Sequence, residues 1–424
     1  MTSTSRKTIW LIKVAEPTPV DGKDVHLMRG GILSKKLAEK GHTVIWWHST
    51  INHQNKTQRF AKHTLIKASP NLHILFLHSI LYKKSVSILR VVSQYGMARA
   101  FKKLAAQHTP PDLIVCCLPP LELCWQAVNY GMRHKVPVII DVQDLWPDAF
   151  MKFAPDVLKP VWRLLLTPWY SMVRKACANA TAITAITDEF LDWALRYANR
   201  DKTQLDKSFP FGYDDTMPDG DAVSAAEKRW ESLGIGKNPH DFISCFIGFM
   251  GRHYELEVVI EAARRLQHDK PGFKFVLCGT GDNLEKYKQL AAGCSNVIFP
   301  GWINEAEIWT LMRRSAVGLA PYKKTATLIK NLTNKPVEYM SAGLPVISSL
   351  GGVLETTLST YGCGITYLPG DTDRLVNILI DLHNNHESRS AMSINARKLF
   401  QDKFSADNVY GEMIDFIEHM SNRY

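Results

Sequence analysis

The sequence predicts an α/β fold built of two doubly wound, parallel-sheet domains in series. Short, nearly continuous apolar runs recur along the chain, and each is followed by a helical pattern. Strands of this kind are typical of parallel sheets that helices cover on both faces. The alternation restarts after residues 208–240, a segment rich in Pro, Gly and Asp, which indicates a connection between two domains.

Each half of the chain supplies one predicted sheet. In the first half, strands are predicted at residues 8–15, 43–47, 71–77, 112–117 and 136–141, with helices over residues 25–40 and 85–106. In the second half, the predicted strands are residues 242–248, 273–278, 297–299 and 317–320, and the helices are residues 254–267, 282–292, 304–314, 371–384, 387–401 and 405–420. We expect domains at residues 1–210 and 211–403, and a C-terminal helix, residues 404–424, that packs back toward the first domain.

Composition places the protein in an ordinary class. Hydrophobic residues make up 46% and charged residues 22% of the 424 positions, which is typical of a globular protein. The sequence shows no apolar run near the roughly 20 residues that a membrane span needs, and no signal-peptide pattern at its start. Eight cysteines are scattered without the spacing of metal ligands, as expected of buried thiols in the cytoplasm.

The basic charge lies in the first half of the chain. Residues 1–200 contain 27 Lys and Arg against 13 Asp and Glu, whereas the remainder contains 24 against 28. Nucleic acid and an anionic membrane surface are the usual partners of such a field. Residues 151–175 combine basic with aromatic side chains, which suits a membrane interface. The alternative is a helix that packs its Leu face on the domain and solvates its charges.

Residues 330–349 are the most informative stretch. They predict a loop, a short helix capped by Thr333 or Asn334, a turn at Gly343 and a buried strand. A helix N-terminus that carries Lys335 suits an anion such as a diphosphate, and Glu338 has the chemistry to accept hydrogen bonds from a sugar diol. The alternative is an ordinary capped helix with a solvated Glu338.

These residues resemble a known family. The second half resembles the donor domain of the retaining glycosyltransferase family 4, which has the GT-B fold of two facing Rossmann-like domains with a catalytic cleft between them. The resemblance is carried by residues 246–248, 259–263, 275–281, 296–302 and 334–345. Residues 141–148 resemble a signature of the branch that builds O-antigen, lipopolysaccharide and capsular polysaccharides. Gly22 and Gly30 stand where the family has its N-terminal glycine loop and first helix, on the acceptor side.

The resemblance implies roles in donor binding. Glu338 matches the second glutamate of the family's E-x7-E motif, which holds the ribose of the nucleotide, and Lys330 stands in place of the first. The further donor-binding residues that it implies are Gly248, Gly251, Gly279, Gly281, Trp302, Leu332, Thr333 and Asn334. For Trp302, a packing role is the alternative.

The phosphate-binding positions depart from the family pattern. With Gly248 as the family glycine, Phe249 and Tyr254 occupy the positions of its phosphate-binding Arg and Lys. Arg252 lies out of register and is expected to substitute, so Arg252 and Lys335 are predicted to stabilise the departing diphosphate.

Aspartates at three places in the chain are considered for the predicted site, and only Asp144 is assigned to it. Asp144 follows a buried strand, where crevice residues project, and is predicted to act near the reacting sugar; a structural carboxylate that caps the next helix is the alternative. Asp148 is predicted to be a helix cap. The lone DxD sequence, Asp371-Thr372-Asp373, is interpreted as a helix cap rather than a metal site.

The resemblance implies a retaining, metal-independent glycosyltransferase that needs no cofactor. Its expected donor is a nucleotide-sugar, most simply a UDP-sugar, and its expected acceptor a glycan or an undecaprenyl-diphosphate-linked sugar. We expect it to bind an anionic membrane surface as a peripheral protein on the cytoplasmic face, and not to bind nucleic acid. Two alternatives stay open: a nucleotide-sugar epimerase or phosphorylase of the same fold, and a non-catalytic membrane scaffold derived from a transferase.

Overall fold

The structure is a computed structural model that describes residues 6–22, 25, 27–84, 87–236, 238, 240–269 and 272–424. The chain forms two compact units, one of Met1–Pro210 with Tyr410–Tyr424 and one of Phe211–Val409. Among the described residues, no helix combines the length and the apolar composition that crossing a bilayer requires.

The described part of the first unit contains an eight-stranded sheet of order β10-β9-β8-β7-β1-β2-β6-β5. Its strands, together with the small antiparallel pair β3 and β4, are β1 (Thr8–Ile12), β2 (Thr43–Ser49), β3 (Ile51–Asn52), β4 (Thr57–Gln58), β5 (Thr64–Lys67), β6 (Leu72–Leu77), β7 (Leu113–Leu118), β8 (Val138–Val142), β9 (Ala182–Ala185) and β10 (Lys207–Ser208). The sheet is parallel except at β5, an edge strand that pairs antiparallel with β6. Sequence patterning missed β5, because an exposed edge strand needs no continuous apolar run.

The helices of the first unit are α1 (Arg29–Glu39), α2 (Ile88–Ala105), α3 (Leu121–His134), α4 (Lys159–Leu165), α5 (Thr167–Asn179) and α6 (Asp188–Ala198). The predicted start of α1 at residue 25 is wrong, because the helix begins at Arg29. There the Glu16 carboxylate accepts a hydrogen bond from the Gly30 amide (2.8 Å) and so satisfies an amide of the first turn. The predicted start of α2, Ser85, lies outside the described residues; Ser87 accepts the Arg90 amide and caps the helix.

The described part of the second unit contains a six-stranded parallel sheet of order β13-β12-β11-β14-β15-β16. Its strands are β11 (Phe242–Ile247), β12 (Phe273–Cys278), β13 (Val297–Gly301), β14 (Val317–Ala320), β15 (Val346–Ser348) and β16 (Gly364–Thr366). Its helices are α7 (Gly220–Ser232), α8 (Leu256–Asp269), α9 (Leu284–Leu290), α10 (Glu305–Arg314), α11 (Asn334–Ser341), α12 (Val353–Tyr361), α13 (Thr372–Asn384) and α14 (His386–Lys403). Buried apolar clusters cover both faces of this sheet, as its apolar strands predict.

The last helix, α15 (Ala406–Arg423), begins in the second unit and ends in the first. The second unit runs to Val409 because the Tyr213 amide donates to the Phe404 carbonyl and the Ala406 amide donates to the Tyr213 carbonyl. Further along α15, Glu418 accepts hydrogen bonds from the side chains of Lys40 (2.9 Å) and His42 (2.8 Å) of the first unit.

A buried ion pair fixes α1 on the first sheet. The Arg29 guanidinium donates two hydrogen bonds to Asp141, at 2.9 and 2.8 Å, and Thr184 and Gln143 donate to the same carboxylate. Burial acts to raise the pKa of Asp141, but Arg29 and these donors outweigh it and hold the pKa at about 2. Because Asp141 lies in β8, the pair ties the start of α1 to the carboxyl edge of the sheet.

We expect Asp141→Asn to lower the free energy of unfolding by about 3–5 kcal/mol, because it leaves the Arg29 charge buried without its counterion. The folded pKa of Asp141 is below its unfolded value of 3.8, so its contribution is complete above pH 4 and is lost as the pH falls from about 4 to about 2. Denaturant unfolding at neutral and acid pH measures both effects. Asp192→Asn, at an exposed position on α6, is the control, and equal stability of the two variants would contradict the assignment.

Candidate functional site

The predicted donor residues gather at the carboxyl edge of the second sheet. The strand order reverses between β11 and β14, and ligands of doubly wound sheets bind at such a switch point. Backbone hydrogen bonds join the loops that follow these two strands, from the Glu255 amide to the Pro321 carbonyl (2.8 Å) and from the Lys323 amide to the His253 carbonyl (2.9 Å). The two loops therefore hold one fixed geometry beside each other.

Two glycines allow the backbones after β11 and β12 to touch. Gly279 has φ +128°, and a Cβ at this position would lie 1.9 Å from the Gly248 carbonyl oxygen. Gly281, at φ +151°, similarly faces the backbone of Met250, with atoms 2.7 Å from its Cβ position. Only a residue without a side chain fits either place. Sequence analysis predicted Gly279 and Gly281 as donor-binding residues. The structure shows that both pack against the loop that follows β11 and contains Gly248 and Met250, hereafter the Gly248 loop.

Lys335 lies over the same loop. A Cβ at Gly248, whose φ is +155°, would lie 1.9 Å from the Lys335 ammonium nitrogen. The ammonium also faces the rings of Phe246 and Tyr254, 5.5 and 5.4 Å from their centroids. Burial lowers the pKa of Lys335, and the Glu338 carboxylate opposes that shift. The site thus holds a cation over the Gly248 backbone, where only a residue without a side chain leaves room for it.

The helix that carries Lys335 starts without a side-chain cap. Thr333 occupies the N-cap position, as predicted, but its hydroxyl bonds the Tyr322 hydroxyl (2.5 Å) rather than a first-turn amide. Asn334 is the first residue of α11. The amides of the first turn are therefore oriented for an anion, which a helix N-terminus attracts. At the other end Gly343 takes φ +70°, which confirms the predicted turn.

Glu338 lies one turn into α11 among tyrosines. Its negative charge adds to burial in raising the pKa of Tyr213, Tyr254 and Tyr322, the last to about 12. Within the described residues no hydrogen bond to the Glu338 carboxylate is found, and the side chain is only partly buried. Both oxygens are therefore open to the hydroxyl groups of a ligand.

The other predicted donor residues differ in how exposed their side chains are and in the element that carries them. Arg252 is exposed in the turn after β11, and Gly251 lies against the ring of Phe249. Leu332 is buried in the apolar core, so only its backbone can serve a ligand. Lys330 ends a short 3-10 helix, Leu328–Lys330. Trp302 is 69% exposed, which rules against the packing role that was its alternative.

The two aspartates after β8 have structural partners. Asp144 accepts the Leu145 amide (2.8 Å) and the Trp146 indole N–H (3.0 Å). The prediction of Asp148 as a helix cap is wrong, because its side chain makes no capping bond and instead accepts from three donors, namely Tyr170 (2.9 Å), Trp193 (2.7 Å) and Tyr197 (3.0 Å). These donors lie up to 49 residues away in sequence, and local patterning does not reveal them.

The two predicted glycines of the first unit, Gly22 and Gly30, differ in their surroundings. Gly22 has φ +154° in open space, and Gly30 lies in the first turn of α1, where a Cβ would meet Glu16 and Lys13 at 2.8 Å. The DxD sequence is a cap as predicted, since Asp371 accepts the Arg374 amide (2.9 Å). Within the described part of the chain, no three acidic, His or Cys side chains gather as metal ligands would.

Sequence reasoning gave Tyr254 and Tyr322 no role, yet they form the wall of the site. Their rings are 5.0 Å apart, and the Tyr254 ring lies 5.0 Å from the Phe246 ring and 5.4 Å from the Lys335 ammonium. The signal was present, because Tyr254 stands where the family has a lysine. In this chain Lys335 supplies a cation beside the aromatic ring at that position.

Comparisons with known proteins show which family model and which fold this chain matches. Residues 229–399 match the family model of glycosyl transferases group 1. Over its whole length the chain has the fold of sucrose-phosphate synthase from Thermosynechococcus elongatus, with a TM-score of 0.73, 17% identity and coverage of 99% of this chain and 100% of the other. This chain is a glycosyltransferase of the GT-B type. The resemblance drawn from the sequence is thereby confirmed.

Two further relatives of the transferase are informative. The O-antigen chain mannosyltransferase C of Escherichia coli is 26% identical over 273 residues, which cover 62% of this chain and 67% of the relative. The structure of Alr3699/HepE from Anabaena in complex with UDP has a TM-score of 0.65 and 14% identity, with coverage of 97% of this chain and 100% of the other.

We expect Gly279→Ala to destabilise the transferase more than Gly293→Ala. Both glycines have positive φ, so either alanine costs about 1–2 kcal/mol of backbone strain. At Gly279 the new Cβ would also clash with the Gly248 carbonyl oxygen, whereas at Gly293 it would meet no atom. Forcing the two loops apart adds about 1–3 kcal/mol to the loss of unfolding free energy. Denaturant unfolding measures the difference, and equal losses would contradict the close contact between the loops.

Proposed function

We propose that the transferase moves a sugar from a nucleotide-sugar, with retention of anomeric configuration and without a metal ion, to a lipid-linked glycan of the cell envelope. The observation that carries this proposal is the cluster of Lys335, the Gly248 loop and Glu338 at the switch point of the second sheet. A cation carried on the first turn of a helix without a side-chain cap suits a diphosphate, and a carboxylate one turn further along suits a ribose.

In this proposal Lys335 and the first-turn amides of α11 bind the leaving diphosphate. Charge builds on that group as the bond to the sugar breaks, so donors already in place lower the barrier. Removing one such donor typically costs about 3–4 kcal/mol of barrier. Arg252, exposed in the turn after β11, is the second cation that we assign to the phosphate oxygens. Glu338 accepts hydrogen bonds from the ribose hydroxyls, and Trp302 borders the base.

Two observations support the choice of donor and acceptor classes. A protein of this fold was crystallised with UDP, and another crystal of it holds UDP-glucose, so we propose a UDP-sugar as the donor. The relative from Escherichia coli is named as an O-antigen chain mannosyltransferase, which favours an envelope glycan as the acceptor. The basic first half of the chain and the exposed apolar side chains of α4 suit a peripheral position on an anionic membrane.

The first experiment is a thermal-unfolding screen against uridine and guanosine diphosphates and their sugars. A ligand at 100 times its dissociation constant stabilises the fold by about 2.7 kcal/mol. The best nucleotide-sugar is then tested for transfer, hydrolysis and epimerisation. Transfer or slow hydrolysis is the expected result. Epimerisation without an acceptor, or no stabilisation by any nucleotide, would overturn the proposal.

We expect Glu338→Ala to lower kcat/KM for the nucleotide-sugar at least about tenfold, since hydrogen bonds to a charged group contribute about 1.5–3 kcal/mol. Its melting temperature should stay unchanged, because no hydrogen bond to this carboxylate is found among the described residues. Glu387→Ala, an exposed change in the first turn of α14, is the matched control. Full activity of Glu338→Ala would remove the ribose assignment.

A further inference from the structure

The first unit contains an apolar pocket that the donor site does not use. It has a volume of about 380 Å³ and lies between α2 and the segment of α4 and α5. Ile88 and Val91 form one wall, and the indole rings of Trp146, Trp162 and Trp169 form the other. Its size is in the range of small-molecule sites, about 300–1,000 Å³.

The rim of this pocket is apolar and exposed. Ile88 of α2 is 82% exposed and Leu164 of α4 is 72% exposed. Further exposed apolar side chains are Leu89 of α2, Val161 and Leu165 of α4, and Val157 in the turn just before α4. A rim of this kind around a pocket marks a site for an apolar ligand that arrives from a membrane.

A cluster of basic groups adjoins the pocket through Arg90. Arg90 lines it, with the guanidinium carbon 5.0 Å from the Trp146 ring and 6.0 Å from the Tyr82 ring. The Tyr82 hydroxyl bonds Nδ1 of His53 (2.7 Å), and the Lys56 ammonium lies 5.6 Å from the Tyr82 ring. Three basic side chains therefore surround one tyrosine beside an apolar cavity.

Burial lowers the pKa of each of these basic groups, and the positive charges of its neighbours lower the pKa of His53 and Lys56 further. Burial, then Lys56 and Arg90, lowers the pKa of His53 to about 4. Burial and Arg90 lower the pKa of Lys56. Burial also lowers the pKa of Arg90, with the negative charges of Asp144 and Glu122 acting in the other direction. A phosphate beside this cluster would relieve the repulsion between the basic groups and favour their charged forms.

We propose that the pocket between α2 and α5 binds the apolar chain of one lipid-linked acceptor molecule, and that Arg90 and Lys56 bind the diphosphate that joins this chain to the glycan. The inference rests on the proposed function, because it names the class of acceptor. A single chain is favoured over a bilayer surface because the basic cluster adjoins a pocket whose volume is in the range of small-molecule sites. Asp144 acts on Arg90 electrostatically, so the predicted catalytic carboxylate lies near the same cluster.

Calorimetric titration of the full chain with farnesyl diphosphate tests this proposal, since the probe combines one isoprenoid chain with a diphosphate. We expect saturable binding, much weaker binding of inorganic diphosphate, and at least about tenfold weaker binding of farnesyl diphosphate by Arg90→Gln. Lys103→Gln, an exposed change in the last turn of the same helix, is the control and should bind as the unchanged chain does.

A second pair of variants tests the apolar part. Trp162→Ala removes a wall of the pocket and should weaken binding of farnesyl diphosphate but not of inorganic diphosphate. Should Trp162→Ala fail to fold, Ile88→Asp changes an exposed rim position and places a carboxylate beside the probe. Equal binding by Ile88→Asp and the unchanged chain would overturn the proposal.

Two further outcomes distinguish the lipid pocket from a general membrane surface and from the proposed transfer reaction. Binding to vesicles of anionic phospholipid that is unaffected by Arg90→Gln and Ile88→Asp, with no saturable binding of farnesyl diphosphate, would show a general membrane surface and overturn the pocket. A chain that is stabilised by a nucleotide-sugar but does not bind farnesyl diphosphate would also overturn the pocket, while the proposed transfer reaction would stand.

Discussion

The contact between the Lys335 ammonium and the Gly248 loop is the constraint on which the donor site depends. It exists because position 248 has no side chain and because Gly279 lets the next loop pack directly against the Gly248 backbone. Burial lowers the pKa of Lys335, so the fold holds a cation that an anionic ligand would stabilise. This buried cation is the reason for proposing that the site binds the diphosphate of the donor.

The two units use the carboxyl edges of their sheets for different chemistry. In the second, the edge presents amides, a cation and a carboxylate, which suits a nucleotide. In the first, the buried Arg29–Asp141 pair fixes α1, and the pocket between α2 and the segment of α4 and α5 is lined by three tryptophans and Arg90. The same topology thus supplies a polar site and an apolar one.

The sequence predicted local features well. The Asp371 cap, the turn at Gly343 and the central strands of both sheets depend on residues close in sequence, and all were identified. The partners of Asp148 were missed because they come from distant helices. The edge strand β5 was missed because its residues are exposed. Arg252 was expected to replace the cation that the family has at position 254, and only the folded chain shows that the Lys335 ammonium lies beside the Tyr254 ring.

The most direct test of this account is a calorimetric comparison of the unchanged chain with Lys335→Met. Each is titrated with the nucleoside diphosphate that stabilises the chain most and with the corresponding nucleoside. We predict that the substitution weakens binding of the diphosphate at least about tenfold and leaves the nucleoside unaffected, because a charge-assisted contact of about 1.5–3 kcal/mol is lost only from the phosphates. Equal affinity of both proteins for the diphosphate would contradict the account.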